Sequence, residues 1–425
     1  MASRHYTVTP SAARLATSLR DIGYDFATAV ADIVDNSVAA GATAIDVQFS
    51  AEPPRVVISD NGSGMTSNAL NEALRFGSRR EYSEGDLGRY GLGLKTASLS
   101  QCRSLTVVTR DARLAPPTAR QLNLDIIDEW DEWLVVDPGP TDSVDEAKDE
   151  LSGRAGTVVI WESLDRAFPG RYAEGAWAQR RVEMLKAKTA EHLALVFQRF
   201  IDGSAGRRVT VRVDGSPLDA WDPFATAEPD THELDLRTFD VNEAAHSGTV
   251  TLRRWILPTR NSFSSQAEFE RLGGPLKWNR QQGIYIYRAQ RLVQWGGWAG
   301  IRAIDEHTKL ARCSLDFATA LDPVFSINVA KMRVSVPPSL KRRLEKPLHE
   351  ICQLANERYR RASRDDAKKT DRKTWVPAER TDESAALALL SAAVQAGHYQ
   401  PLTEIAAVLV NQAPNVARRL GLDRL

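Results

Sequence analysis

Three short polar segments in the first hundred residues constrain this chain more than any other feature of it. The first is Ala31-Asp32-Ile33-Val34-Asp35-Asn36-Ser37-Val38-Ala39-Ala40-Gly41-Ala42-Thr43. The second is Asp60-Asn61-Gly62-Ser63-Gly64-Met65, and the third is Gly88-Arg89-Tyr90-Gly91-Leu92-Gly93-Leu94-Lys95-Thr96. Ala29, Val30, Ile33 and Val34 form an apolar stripe that predicts a helix. On that helix Asp32 and Asn36, four residues apart, point the same way. The second segment ends the strand-like run Arg55–Ser59. Gly62 and Gly64 remove side chains where the chain turns, so another group can approach closely; Asp-Asn-Gly-Ser-Gly is also ordinary turn chemistry. In the third, the glycines at 88, 91 and 93 precede the apolar helical run Leu92–Leu99, and such a turn can offer backbone N–H groups to phosphate oxygens. It lacks the Gly-Lys-Thr order of a Walker loop, and no strand leads straight into Gly88 as a dinucleotide fingerprint requires. Lys95 could meet a phosphate or simply be solvated.

In this order and at this separation the segments resemble the nucleotide-binding motifs of the GHKL ATPases: DNA gyrase B subunit, histidine kinases, heat-shock chaperone ATPases and MutL. The resemblance implies that Asn36 coordinates Mg²⁺ through its amide oxygen, and that Asp32 is the general base orienting water toward the γ-phosphate of ATP. It implies that Asp60 accepts from the exocyclic amine of adenine, with Gly62, Gly64, Met65, Gly88, Tyr90, Gly91, Leu92, Gly93, Leu94 and Lys95 around the nucleotide. Many relatives carry Glu where this chain has Asp32. One methylene less draws the carboxylate back by roughly 1.5 Å, and misplacement of about 1 Å can cost on the order of a hundredfold in rate. Slow turnover is therefore expected. Asp35, on a different flank of the helix, is the fallback base. The polar stretch Phe76–Asp86 resembles the lid that closes over ATP in relatives. Gly156-Thr157 opens a strand as the closing element of that fold does, which implies a Thr157 hydroxyl supporting the adenine site.

At 425 residues the chain has room for two or three domains. Lys plus Arg and Asp plus Glu both number 55, so net charge offers no global case for a nucleic-acid partner. Cys102, Cys313 and Cys352 are far apart and have no metal spacing, as expected of a reduced, cytoplasmic compartment. No apolar run suggests a signal peptide or a membrane span, and the seven histidines show no ligand spacing. Ser11–Arg20 reads as an amphipathic helix. Ala44–Ser50, Arg55–Ser59, Ser104–Arg110, Gln121–Ile127 and Glu132–Val136 read as strands. The acidic stretch Asp128–Glu150 reads as a surface loop. The expected fold class is α+β: a GHKL (Bergerat) two-layer α/β sandwich over 1–175, with a mixed or mainly antiparallel sheet and helices on one face. A transducer-like α/β domain with a leading linker helix follows over 176–340, and a helical, partly basic region over 341–425.

In the second domain Arg208–Val213, Gly248–Trp255 and Gly283–Arg288 read as strands. Gly283–Val293 is similar to the "YRNxRLI" strand of MORC and MutL-like proteins, with Ala289 and Gln290 in place of the usual polar pair. Ser326–Val334 resembles the segment from which such a domain sends a lysine to the γ-phosphate; Lys331 is the candidate and Arg333 the runner-up. The resemblance is closest to prokaryotic MutL/MORC-like ATPases, a group often linked to restriction and phage defence. It implies Mg-dependent ATP binding, slow hydrolysis, a nucleotide-dependent homodimer, and DNA-linked work with nuclease or helicase partners. The alternatives are a non-hydrolysing nucleotide-sensing scaffold and a histidine-kinase-type phosphotransferase; no phosphoacceptor helix precedes the nucleotide segment. Arg358–Lys373 could neutralise DNA phosphates or be a solvated helix. The short helices expected over Ser384–Leu420 suit a docking knob or a helix-turn-helix.

Overall fold

The structure is a computed structural model that describes residues 6, 8–77, 92–111, 116–169, 175–243, 246–327, 334–373, 391–397, 399–419 and 422. The chain divides into two compact units, Met1–Arg360 and Arg361–Leu425. The first holds two sheets and both large cores.

The first sheet has seven strands in the order β4-β3-β5-β2-β1-β6-β7. They are β1 (Ala44–Ala51), β2 (Pro54–Asp60), β3 (Ser104–Arg110), β4 (Thr118–Asn123), β5 (Gly156–Glu162), β6 (Thr210–Val213) and β7 (Ser216–Pro217). All neighbours run antiparallel except β1 and β6. Alternate residues of these strands, among them Ile45, Val47, Val56, Ile58, Leu105, Val107, Val159 and Trp161, turn to one side. There they meet the apolar stripes of α1 (Ala12–Arg20), α2 (Phe26–Ala39), α4 (Gly93–Leu99) and α7 (Gly175–Val196). This is the α+β sandwich expected from the sequence. The other face is covered in part by α6 (Asp142–Glu150), whose Val144 and Ala147 pack on Val108, Val158 and Ile160. β3 and β5 are therefore buried on both faces, which is why β5 carries the unbroken apolar run Val158–Trp161.

The second sheet has five strands in the order β11-β10-β12-β9-β8. They are β8 (His232–Glu243), β9 (His246–Ile256), β10 (Gly283–Arg288), β11 (Arg291–Gln294) and β12 (Ala311–Phe317). The long helix α11 (Pro338–Lys373) opens on a proline, whose missing N–H costs nothing at a first helical position. Its Leu340, Leu344, Leu348, Ile351 and Ala355, at helical spacing, complete this second core.

Some of the sequence readings differ from the structure. Arg208–Val213 was assigned to the second domain, yet β6 pairs in parallel with β1 of the first sheet. Asp128–Glu150 is not a plain loop: α5 (Leu124–Trp130) runs into it, and α6 is seated by Thr141, whose hydroxyl accepts from the Val144 amide. Glu132–Val136 contributes only a single bridge, from Val136 to Gln121. The start of α11 belongs to the second core rather than to a separate tail. In Arg361–Leu425, helices Tyr399–Gln412 and Pro414–Arg419 pack on each other and bury Ala406 and Ala417.

Candidate functional site

Helix α2 is the spine of the site. Asp25 caps it, its carboxylate accepting from the Thr28 amide at 3.0 Å and from the Thr28 hydroxyl at 2.7 Å. Near its other end the Arg207 guanidinium donates to the Val38 carbonyl. Positions 28–35, 37 and 38 are all buried, whereas Asn36 is exposed. One turn below it, Asp32 is 1% exposed. A helix sunk on nearly every side that opens to solvent at a carboxamide above a buried carboxylate is a costly arrangement, for polar groups are seldom buried without partners.

Two side chains and the start of α4 converge on Asp32. The Tyr24 hydroxyl donates to its Oδ2 at 2.7 Å. Burial pushes the Tyr24 phenol far up, and the Asp32 charge pushes it further. The start of α4 passes the same oxygen: a methyl placed on Gly93 would lie 3.9 Å from it. Arg291, on β11, places Nη2 3.9 Å from Asp32 Oδ1 and donates from Nε to Asp35 Oδ1 at 3.2 Å.

At the far end of α2, Ser37 donates to Asp60 Oδ2 at 2.8 Å, and the Gly62 amide donates to Oδ1 at 2.8 Å. Burial raises the Asp60 carboxyl, against the opposing pull of Ser37, Gly62, Thr157 and Arg154. The β2–β5 register sets Asp60 opposite Thr157. The Thr157 hydroxyl lies 3.1 Å from that of Thr109, which accepts from the Met65 amide at 2.9 Å. Two glycines are obligatory here. At Gly64 (φ +63°) a Cβ would meet the Arg110 carbonyl oxygen at 1.8 Å. At Gly156 (φ +152°) it would meet that of Asp60 at 2.1 Å. So Asp60, Gly62, Gly64, Met65 and Thr157 stand together at one end of α2, and Asp32, Asn36 and Gly93 along its length.

Leu92 and Leu94 flank Gly93, and the Leu92 carbonyl accepts from the Thr96 amide at 2.9 Å. Lys95 is fully buried, and its ammonium donates to the Ala73 carbonyl at 2.7 Å. Burial lowers it to about 8, with Glu72 opposing. In this conformation it ties α4 to the end of α3 (Ser67–Leu74), an outcome distinct from both the phosphate and the solvent reading. Gly88, Tyr90, Gly91, Lys331, Arg333 and positions 78–86 of the lid stretch lie outside the described residues.

Sequence reasoning missed Tyr24, Ser37 and Arg291. Arg291 had a usable signal, since it sits inside the singled-out Gly283–Val293 segment; its partner Asp35 lies 256 positions away. His192 of α7 was missed too. It faces Arg291, Asp25 and Asp35, and burial together with Arg291 lowers it to about 4.

The donor set suits a magnesium nucleotide. Mg²⁺ takes few protein ligands, prefers oxygen and keeps its waters. The exposed amide of Asn36 offers one such oxygen, and no cluster of three or more His, Cys, Asp or Glu exists among the described residues. A cavity of about 130 Å³ lies on the α6 side of the sheet, lined by Phe49, Arg55, Glu146 and Glu150 among others. It is too small for a nucleotide, whose pockets run to several hundred Å³, and holds none of the candidate residues. Nor is any helix among the described residues long and apolar enough to cross a membrane.

Residues 24–156 match the family model of the histidine kinase-, DNA gyrase B- and HSP90-like ATPases. Protein MICRORCHIDIA 6 of Arabidopsis thaliana is 32% identical over 92 residues, covering 20% of this chain and 14% of that protein. DNA mismatch repair protein MutL of Phenylobacterium zucineum (strain HLK1) is 28% identical over 203 residues, covering 44% of this chain and 31% of that protein. The chain thus spans less than a third of the length of either relative. The matched region is similar to the ATPase domains of the GHKL superfamily, those of MutL and the microrchidia proteins among them.

Proposed function

We propose that this protein binds ATP with Mg²⁺ along α2, hydrolyses it slowly, and uses the cycle as a conformational and dimerisation switch. The observation that carries this is the stacking on one helix of an exposed carboxamide, Asn36, over a buried carboxylate, Asp32, with a second carboxylate, Asp60, held at the helix end.

In this reading Asp60, oriented by Ser37 and the Gly62 amide, accepts from the adenine amine, with the Thr157 hydroxyl and Met65 beside it. Asn36 is the protein's ligand to Mg²⁺, which when bound offsets the charge of the phosphates. Asp32 takes the proton of the attacking water; its Oδ2 is fixed by Tyr24, so the carboxylate is held in one orientation. Gly88, Tyr90, Gly91, Leu92, Gly93 and Leu94 wrap the phosphates, and Lys331 reaches the γ-phosphate from the second domain. Lys95 joins the phosphate contacts only after leaving the Ala73 carbonyl. The switch is a nucleotide-dependent homodimer that acts in a DNA-linked process such as phage defence or restriction, with nuclease or helicase partners; similarity to a DNA mismatch repair protein supports the DNA link alone.

The experiment pairs nucleotide binding with hydrolysis. Asn36→Ala is expected to lose Mg-dependent ATP binding. Asp32→Asn is expected to bind ATP within a few-fold of wild type and to lose hydrolysis by at least about a hundredfold. Unchanged turnover in both variants would remove the catalytic assignment. Retained binding with no hydrolysis in the wild type would favour a nucleotide-sensing scaffold, the reading that aspartate in place of glutamate keeps open.

A further inference from the structure

Arg291 is the one cation reaching the Asp32 end of α2 from the second sheet among the described residues, and it does so from a tightly built support. It follows a two-residue β10–β11 turn in which Ala289 (φ 46°) and Gln290 (φ 70°) are both left-handed. Such a turn matches the twist of its strands but is uncomfortable for residues other than glycine, asparagine or aspartate. Behind it Trp295 packs against both large cores, and α7 lies between α2 and β11.

Arg291 itself is 3% exposed, and Asp32 and Asp35 are each 1% exposed. One guanidinium thus spans two carboxylates a turn apart on α2, closing on Asp35 at 3.2 Å and standing off Asp32 at 3.9 Å. The gap exceeds a hydrogen bond by roughly 0.7 Å. At the same joint the buried Arg291 Nη2, His192 Nε2 and Trp295 Nε1 have no hydrogen-bond partner among the described residues. Folded proteins leave few such groups, and they tend to mark places where another arrangement completes the bonding.

We propose that Arg291 is a positioning residue for Asp32, so that the orientation of the hydrolytic carboxylate is set from the second sheet. This rests on Asp32 being the base, as proposed above. The Arg291 charge and its grip on Asp35 hold the α2 turn that carries Asp32, while Tyr24 holds the other carboxylate oxygen. A short aspartate then stands at a fixed place without the reach of a glutamate. Asp35, which Arg291 grips, is buried whereas Asn36 is exposed, so nucleotide affinity is expected not to draw on Arg291.

The test compares Arg291→Gln, Arg291→Lys and Asp35→Asn with wild type and with Asp32→Asn. Two quantities are measured: affinity for Mg-ADP and a non-hydrolysable ATP analogue, and the single-turnover rate of ATP hydrolysis. Arg291→Gln is expected to keep nucleotide affinity within about threefold and to slow hydrolysis on the order of a hundredfold. Arg291→Lys should recover part of the rate, about tenfold, since it restores the charge but not the forked reach. Asp35→Asn, which leaves Arg291 in place but loosens its anchor, should slow hydrolysis less than Arg291→Gln. Equal loss of affinity and rate, with no recovery in the lysine variant, would mean a structural role only. A wild-type rate in Arg291→Gln alongside a dead Asp32→Asn would sink this inference and leave the base assignment standing. A wild-type rate in Asp32→Asn would remove both.

Discussion

Arg288 and Arg291 sit at the two ends of one hairpin turn and are bound in opposite ways. Arg288 closes a complete fork on Asp322, Nε to Oδ1 and Nη2 to Oδ2, both at 2.7 Å, with both partners nearly fully buried. Arg291 leaves the second sheet altogether and shares itself between Asp35 and Asp32, with one nitrogen short of hydrogen-bond range. A planar fork meeting a carboxylate squarely is the strongest and most specific form such a pair takes. A guanidinium spread over two carboxylates is looser and can shift between them. The first is a brace within one core; the second is a joint between two sheets.

Breaking the brace should give the largest effect. Arg288→Ala leaves Asp322 buried without this partner and is expected to cost about 3–5 kcal/mol. Chemical denaturation would read this, and nucleotide affinity of the folded fraction should stay within a few-fold of wild type. A loss under 1 kcal/mol would erase the contrast between the two arginines.

The joint should instead show itself through pH. His192 beside Arg291 is lowered from 6.5 to about 4, chiefly by burial. Between those values the unfolded chain binds more protons than the folded one. The stability is therefore complete above about 6.5 and lost as pH falls through about 4, at up to about 1.4 kcal/mol per pH unit. His192→Gln should flatten that part of the profile in denaturation midpoints taken from pH 7 to pH 4. An unchanged profile would mean that the histidine is not held neutral at the joint.

The smallest effect concerns the turn between the two arginines. Gln290 is exposed and left-handed, so Gln290→Gly should relieve strain and stabilise by about 0.5 kcal/mol. The loss of its 2.8 Å hydrogen bond from Arg199 works against this gain. A rise in the melting midpoint would support a strained turn; a fall would show that the Arg199 contact outweighs the backbone.

Much of the nucleotide end was legible because its signals are local. Helix α2 announces itself by the period of its apolar residues, and the turn after Asp60 by glycines that structure proves irreplaceable at Gly64. The Gly-Thr opening of β5 was likewise readable, and its glycine faces the Asp60 carbonyl too closely for any Cβ. What failed were long-range pairings. β6 has the same alternation whichever sheet it joins, and only its parallel register with β1 assigns it. α6 looked like an acidic loop because its buried residues are few and its carboxylates dominate the composition. Likewise nothing near Lys95 in sequence names the Ala73 carbonyl to which it donates.

The chain's own order of residues determined the helix with Asp32 and Asn36, the glycine turns, and the superfamily to which the N-terminal domain is similar, since steric and periodic preferences act over a few neighbours. Only the tertiary structure decided that Asp35 belongs to Arg291 and Asp60 to Ser37, and that a hairpin of the second sheet reaches α2. Ion pairs and hydrogen bonds of that kind depend on where distant stretches of chain come to rest, which no local preference encodes.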